Sequence, residues 1–177
     1  TFSIAPISLS GCWRCHNSHV TILPSVRSGL ERRGLQALIE EAAVTERRIC
    51  LVIEAFYTSV RDHGQLGPAF TAILGAGDWS DHISKIVQFW MTAFRLNRAY
   101  AARDFMPAHL QHHQISAILT PHWLTLFEQT LQQHSNAMEK AAFSGIAGAM
   151  MENLAIGFAK RDDQKLIKPA PLSTDCN

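Results

Sequence analysis

The sequence predicts an all-α fold, and two features of its hydrophobic pattern carry that prediction. Apolar residues recur every three or four positions through most of the chain, as they do on one face of a helix. No stretch shows the strict alternation or the strand–turn–strand signal of a sheet. Because 47% of the 177 residues are hydrophobic, the chain can bury a core. We therefore expect one compact domain of five or six helices.

Composition divides the chain into three segments. Residues 1–34 contain prolines, glycines and serines without a periodic apolar face, which predicts a poorly ordered extension. Residues 35–160 carry the helical pattern and form the predicted domain. Residues 161–177 contain two prolines and predict a loose tail.

The first half of the domain contains three predicted helices. A short helix opens at Leu35, and a second begins after Thr45, a residue type that caps helix N-termini. The second helix ends near His63, and the Leu-Gly-Pro of residues 66–70 predicts a turn. The third helix spans about 80–95, and four residues share its apolar face: His82, Ile86, Phe89 and Trp90.

The second half contains two longer predicted helices. A short apolar and histidine-rich stretch follows Pro107. The next helix covers about 116–133, and because Pro121 fits only the first turn, its start is expected near Thr120. The last helix, 137–160, is rich in alanine, methionine and glycine, which indicates close packing against a neighbour.

Charge and cysteine content exclude several partners. Sixteen basic and fifteen acidic residues leave a net charge of +1, too small a field to attract nucleic acid or a membrane surface. No unbroken apolar run reaches membrane-spanning length, and residues 1–11 lack the basic flank of a secretory signal. Four scattered cysteines favour a reducing compartment. We therefore expect a cytoplasmic protein without a nucleic-acid or membrane partner.

The aromatic and histidine residues of the helices predict an apolar cavity. Tyr57, Phe70 and Trp123 are candidates for its walls, and His82 and His109 bring imidazoles to it. A flat apolar cofactor whose metal takes one axial nitrogen fits this set. Ordinary core packing explains the same residues and stays open as an alternative.

Seven short motifs follow one another in a specific order along the chain. They are LQALI at 35–39, FYTSVR at 56–61, LGPAF at 66–70, WSDH at 79–82, FW at 89–90, PAH at 107–109 and WLTLF at 123–127. With these motifs, residues 35–158 resemble the third group of truncated haemoglobins, known from bacteria. The resemblance implies a two-over-two helical sandwich that holds a noncovalent haem b.

The resemblance implies that His109 is the proximal ligand of the haem iron. His112 and His113, about one helical turn further on, are competitors for this axial role. The segment between Tyr100 and His109 is one residue longer than the family pattern and lacks its expected glycine. The path of this segment is therefore open.

On the opposite side, the resemblance implies that Tyr57 and Trp123 donate hydrogen bonds to a bound diatomic ligand. His82 lies on the distal helix, where gating ligand entry, donating to the ligand and swinging outward all stay open. Further cofactor contacts are expected from Phe56, Phe70, Ile86, Phe89, Trp90 and Tyr100. Candidates for the haem propionates are Lys85, Arg95, Arg98 and Tyr100.

The predicted function is binding of dioxygen, nitric oxide or another diatomic ligand. Strong distal donors favour chemistry on the ligand over its delivery. The resemblance implies nitric oxide dioxygenase activity, peroxidase-like turnover or redox sensing as the roles. Repeated turnover needs an external electron donor. The alternative from another class is a helical partner-binding module without haem.

A separate motif lies in the extension. Cys12, Cys15 and His16 form the C-x-x-C-H string of covalent c-type haem attachment. An incidental string, a redox dithiol, and a zinc half-site completed by His16 and His19 are the other readings.

Overall fold

The computed structural model describes residues 29–101, 103 and 105–167, and these residues contain seven α-helices, one 3₁₀ turn and no strand. The α-helices are α1 (Gly29–Ala42), α2 (Glu46–Asp62), α3 (Leu66–Leu74), α4 (Ser80–Ala93), α5 (Phe105–Leu110), α6 (Thr120–His134) and α7 (Ala137–Ile167). The 3₁₀ turn (Ala117–Leu119) leads into α6. The predicted all-α fold is confirmed.

Two pairs of helices form the body of the domain. α2 packs against α4, α6 packs against α7, and the two pairs meet through α2 and α6. α1 lies on α7, α3 lies on α2, and α5 lies on α7. This is the two-over-two sandwich that the resemblance implied.

Two helix starts agree with the sequence. The Thr45 side chain accepts a hydrogen bond from the Arg48 backbone N–H at 3.4 Å, so Thr45 caps α2 as expected. α6 begins at Thr120 with Pro121 in its first turn, where the missing N–H removes no helical hydrogen bond.

Three local predictions are wrong. α1 begins at Gly29 instead of Leu35, because residues 31–34 are helical but exposed and therefore show no apolar stripe. α7 continues past Lys160 to Ile167, so the predicted tail starts inside a helix. Residues 66–70 lie in α3 instead of a turn, because Pro68 sits in the first turn of that helix.

Gly67, the second residue of α3, lies in close contact with the end of α2. A Cβ atom at this position would lie 2.5 Å from the Arg61 backbone oxygen, so any larger residue would push α3 away from the end of α2. The glycine that predicted a turn in the sequence therefore serves a close helix contact.

An aromatic core joins the two helix pairs. Phe127 of α6 lies 5.1 Å from Phe56 of α2, 5.4 Å from Trp90 of α4 and 6.2 Å from Phe143 of α7, measured between ring centroids. All four side chains are buried. Four helices therefore share one core, and a ring lost from it leaves a cavity in contact with all of them.

A partly buried ion pair fixes the start of α2 against the junction of α6 and α7. The Arg48 guanidinium donates to both carboxylate oxygens of Glu139 at 2.8 Å and also to the backbone carbonyl of His134. Glu139 in addition accepts from the Asn136 N–H at 3.0 Å. These bonds, those from Arg48 first, lower the pKa of the Glu139 carboxyl.

Trp79 fixes the start of α4. Its indole N–H donates to the Gly75 carbonyl at 2.8 Å, and the Arg61 guanidinium lies 4.0 Å from the centre of its ring. Because Trp79 immediately precedes α4, these contacts set where His82 begins the inner face of that helix.

One segment of α7, Ala137–Gln164, is long and apolar enough to cross a membrane by length and composition alone. The sequence analysis expected no such segment, because alanine and glycine make this helix apolar without a run of large aliphatic residues. α7 contributes Phe143, Ile146 and Leu154 to the core and packs on α1, α5 and α6. A core helix of a globular domain has these contacts.

Candidate functional site

A cavity of about 350 Å³ lies between α2, α3, α4, α5, α6 and α7. This volume is in the range of small-molecule and cofactor sites. Most of its lining is apolar, and eight of the ten residues predicted for the site take part. These eight are Tyr57, Phe70, His82, Ile86, Phe89, Trp90, His109 and Trp123.

The other two predicted residues lie outside the cavity lining. Phe56 is fully buried behind it, with its ring 5.2 Å from Tyr57 and 4.8 Å from Trp123. Tyr100 packs its ring 5.4 Å from Phe89. The structure thus places Phe56 and Tyr100 as supports of lining residues.

His109 lies in α5, on one side of the cavity. Its Nδ1 is 2.6 Å from the Phe105 carbonyl oxygen, and since a carbonyl only accepts, Nδ1 carries the proton. The other nitrogen, Nε2, therefore has a free lone pair. Burial lowers the pKa of His109, opposed by the bond to Phe105 and assisted by the charge of His112. A neutral imidazole with a fixed tautomer is the form that binds a metal.

The two competing histidines differ from each other in burial. His112 lines the cavity and is half-buried, whereas His113 is exposed and does not line it.

His82 of α4 presents a buried polar atom with no partner. Its Nε2 is buried and makes no hydrogen bond among the described residues. The ring packs edge-on to Tyr57 at 5.4 Å and to Phe70 at 6.3 Å. Burial lowers the pKa of His82 to about 4, with smaller contributions from the charges of His109 and Lys85. An unpaired buried polar group costs about 1–3 kcal/mol, which a ligand that pairs with it would recover.

Tyr57 and Trp123 bring two more donors to the cavity. Tyr57 is 3% exposed and Trp123 is 7% exposed, and both contact Phe56. In the described part of the chain, neither the Tyr57 hydroxyl nor the Trp123 indole N–H has a hydrogen-bond partner. Burial raises the pKa of Tyr57, so its hydroxyl keeps its proton. Both groups are therefore available to donate to a molecule in the cavity.

Polar residues gather in the lining near the end of α5. The structure places Gln111, His112, Ser116 and Thr120 in the lining, and Lys85 of α4, a predicted propionate partner, lines the cavity as well. Arg95, Arg98 and Tyr100, the other predicted propionate partners, do not line the cavity. The four added residues follow His109 closely in sequence, but no periodicity marks them.

Sequence reasoning also missed the contribution of α7. Four of its apolar side chains line the cavity: Met150, Met151, Leu154 and Phe158. Their spacing of three and four residues is a helical signal that was present in the sequence.

The donor set fits one kind of cofactor. Within residues 29–101, 103 and 105–167, no group of three or more His, Cys, Asp or Glu side chains forms a metal cage. The cavity instead offers single imidazole nitrogens, and a flat apolar metal complex needs only one of them. A helical sandwich with this cavity belongs to the class of globin-type haem proteins that bind gases.

Comparison with known proteins identifies the branch of that class. The curated Group 3 truncated hemoglobin ctb of Campylobacter jejuni is 30% identical over 90 residues, which are 50% of this chain and 70% of that protein. The crystal structure of the group III truncated hemoglobin from Campylobacter jejuni superposes with a TM-score of 0.61 at 25% identity. The match covers 66% of this chain and 92% of that one. No family model matches the sequence. The chain belongs to the group 3 truncated hemoglobins.

The C-x-x-C-H string of Cys12, Cys15 and His16 lies outside the described residues.

Proposed function

We propose that the protein holds a noncovalent haem b in this cavity, with His109 as the axial ligand, and binds dioxygen, nitric oxide or another diatomic gas. The proposal rests on one observation: a histidine with a free ring nitrogen and a set of polar side chains line the same apolar cavity. His109 has one nitrogen bonded to the Phe105 carbonyl. It shares the cavity with the donors Tyr57 and Trp123 and with His82, whose buried Nε2 has no partner among the described residues.

A haem held by His109 would supply the iron chemistry that binds a diatomic gas. Tyr57 and Trp123, which line the same cavity, would donate hydrogen bonds to a gas held there. Hydrogen bonds from their O–H and N–H groups are strongest in this cavity, because the apolar lining keeps water away from them. His82, neutral and without a partner, is a third side chain of this kind on the distal side.

The same donors favour reaction over transport. Each hydrogen bond to the bound gas slows its release, which gives time for nitric oxide oxidation, for peroxidase-like turnover or for a sensing change. Repeated turnover would draw on an external electron donor.

The remaining parts of the proposal concern the whole chain. We propose that the haem domain is built by the helices from α1 to α7, and that the protein works in the cytoplasm without a nucleic-acid or membrane partner. The near-zero net charge and the few cysteines support this.

Titration of the purified protein with hemin tests the proposal. We expect uptake of one haem per chain, a Soret band, and a change of spectrum when carbon monoxide is added to the reduced form. A protein that is helical by circular dichroism but shows no saturable uptake would contradict it and favour the partner-binding alternative.

Two matched variants make the titration specific for the cavity. Ile86→Arg places a charge in the cavity lining and is expected to abolish uptake, because a buried unpaired charge is costly there. Ile118→Arg makes the same change at a side chain that is 74% exposed, and it should bind haem like the unmodified protein.

A further inference from the structure

The helix that carries His109 has little support of its own. α5 has six residues, and none of these six is buried. A helix of this length is unstable in isolation. α5 packs against α7. The Phe105 ring also stacks on Phe89 of α4 at 5.3 Å between ring centroids. Contacts from α7 and α4 therefore decide where His109 lies.

Arg161 of α7 binds the backbone that follows α5. Its Nη1 donates to the carbonyl oxygens of Leu110 at 3.4 Å and His112 at 3.1 Å, and its Nη2 donates to that of Ile115 at 3.1 Å. Leu110 is the last residue of α5, and carbonyls at a helix C-terminus lack partners within the helix. One side chain therefore binds three carbonyls of segment 110–115.

The guanidinium is itself held in place. Its Nε donates to an Asp162 carboxylate oxygen at 2.8 Å, and the side chain is only 13% exposed. Its central carbon lies 5.0 Å from the ring centre of Phe158, which lines the cavity. The planar Arg161 guanidinium therefore has a fixed orientation toward segment 110–115.

Gly157 lies one turn before Arg161 on the same face of α7. A Cβ atom at Gly157 would come within 2.5 Å of Met106 Cε and 3.2 Å of Leu110 Cδ2. α5 thus touches α7 directly at Gly157 and is bonded to it through Arg161.

We propose that Arg161 is a positioning residue for the axial histidine. The connection runs through the backbone, because the His112 N–H donates to the His109 carbonyl at 3.2 Å while Arg161 binds the His112 carbonyl. By holding segment 110–115 on α7, Arg161 fixes His109 relative to the cavity. This inference rests on the proposed function, which makes His109 the axial ligand.

Three variants test the inference. Arg161→Gln removes the guanidinium, and Arg161→Lys keeps the positive charge without the planar guanidinium. Lys160→Gln is the control, because it removes a positive charge from the neighbouring exposed side chain. Each is prepared both haem-free and with haem.

Hydrogen exchange of the haem-free protein measures how firmly Arg161 holds segment 110–115 on α7. The N–H groups of Gln111, His112 and Ile115 form hydrogen bonds inside this region. We expect them to exchange about tenfold faster in Arg161→Gln, the factor for losing a hydrogen bond to a charged group. Exchange in α2 should stay the same, and Lys160→Gln should behave like the unmodified protein.

Resonance Raman spectroscopy of the reduced, ligand-free haem protein measures the consequence. The iron–histidine stretching band should shift or broaden in Arg161→Gln, shift less in Arg161→Lys, and stay unchanged in Lys160→Gln. A role confined to stability would leave this band in place. If Arg161→Gln does not fold, Arg161→Lys is read by the same two measurements.

Unchanged exchange in Arg161→Gln overturns the inference, and so does faster exchange with an unchanged band. If the unmodified protein takes up no haem, the proposed function fails and the inference fails with it. A haem-loaded unmodified protein whose band is insensitive to Arg161 overturns the inference alone.

Discussion

The two sides of the cavity are built in different ways. The distal wall, formed by Tyr57, His82 and Trp123 of α2, α4 and α6, belongs to the core of the domain, where the ring of Phe56 contacts both donors. The proximal wall is formed by α5 and residues 111–116, where most side chains are half-buried or exposed.

This difference separates two consequences of mutation. Residues of the distal wall are positioned by the same packing that stabilises the fold, so changes beside them cost stability. His109 lies on a short helix that packs on α7, so we expect changes on the proximal wall to alter the proposed haem binding more than stability.

Truncation of a core aromatic has the largest expected effect. Phe127→Ala should lower the free energy of unfolding of the haem-free protein by about 3–5 kcal/mol, since the residue is fully buried among the distal-wall aromatics. Phe105→Ala, on the proximal wall, should cost less than about half of that. Urea unfolding measures both. Equal losses would show that the two walls do not differ in their contribution to stability.

The pH dependence of stability sharpens the comparison at His82. Burial lowers its pKa from 6.5 to about 4, so between these values the unfolded chain binds a proton that the folded chain does not. The free energy of unfolding therefore falls as pH drops from 6.5 toward 4, by at most roughly 3 kcal/mol from this residue.

His82→Leu removes this titration and should flatten the fall, measured by urea unfolding of the haem-free protein at pH 6.5, 5 and 4. His113→Leu changes an exposed histidine and serves as the control. If the free energy of unfolding of His82→Leu falls as steeply with decreasing pH as that of the unmodified protein, His82 is not held neutral by burial.

The oxygen dissociation rate measures the distal donors. Tyr57→Phe deletes one hydroxyl and should remove about 1.5–3 kcal/mol of ligand stabilisation, which is a roughly tenfold to more than a hundredfold faster release. The association rate should change less, because the hydroxyl acts after the ligand has bound. Stopped-flow mixing measures both rates.

Tyr100→Phe is the matched control, because Tyr100 lies outside the cavity lining. Trp123→Phe should also speed release, although it removes volume as well as a donor. Unchanged release in both Tyr57→Phe and Trp123→Phe would leave His82 as the donor.

Removal of residues 1–28 has the smallest expected effect. This deletion ends before α1, and we expect the absorption spectrum and haem stoichiometry to stay the same. Haem that stays attached after acid–acetone extraction, and is released in a Cys12→Ala, Cys15→Ala variant, would instead establish the covalent site.

The sequence signals are stronger for the helices of the distal wall than for the proximal side. α2, α4 and α6 are long helices with periodic apolar faces. The resemblance then implied distal roles for Tyr57, His82 and Trp123 on these helices. Phe56 was assigned to the cavity because adjacent residues on a helix differ by only about 100°, and periodicity does not distinguish lining from packing.

The proximal side carried much weaker signals. α5 is too short for a periodic face, and the partners of Arg161 are backbone carbonyls at Leu110, His112 and Ile115, which no side-chain pattern reveals. α3 was missed because Gly67 and Pro68 are typical of turns, and only the close contact with α2 shows why a helix uses them.

The central claim, that His109 holds the haem iron, has one direct test: the resonance Raman spectrum of reduced, ligand-free His109→Gly with and without added imidazole. We expect the iron–histidine band to be absent in this variant and an iron–imidazole band to appear on addition, moving when deuterated imidazole is used. His112→Gly should keep the band of the unmodified protein. A His109→Gly protein that retains its haem and the original band without imidazole would contradict the account.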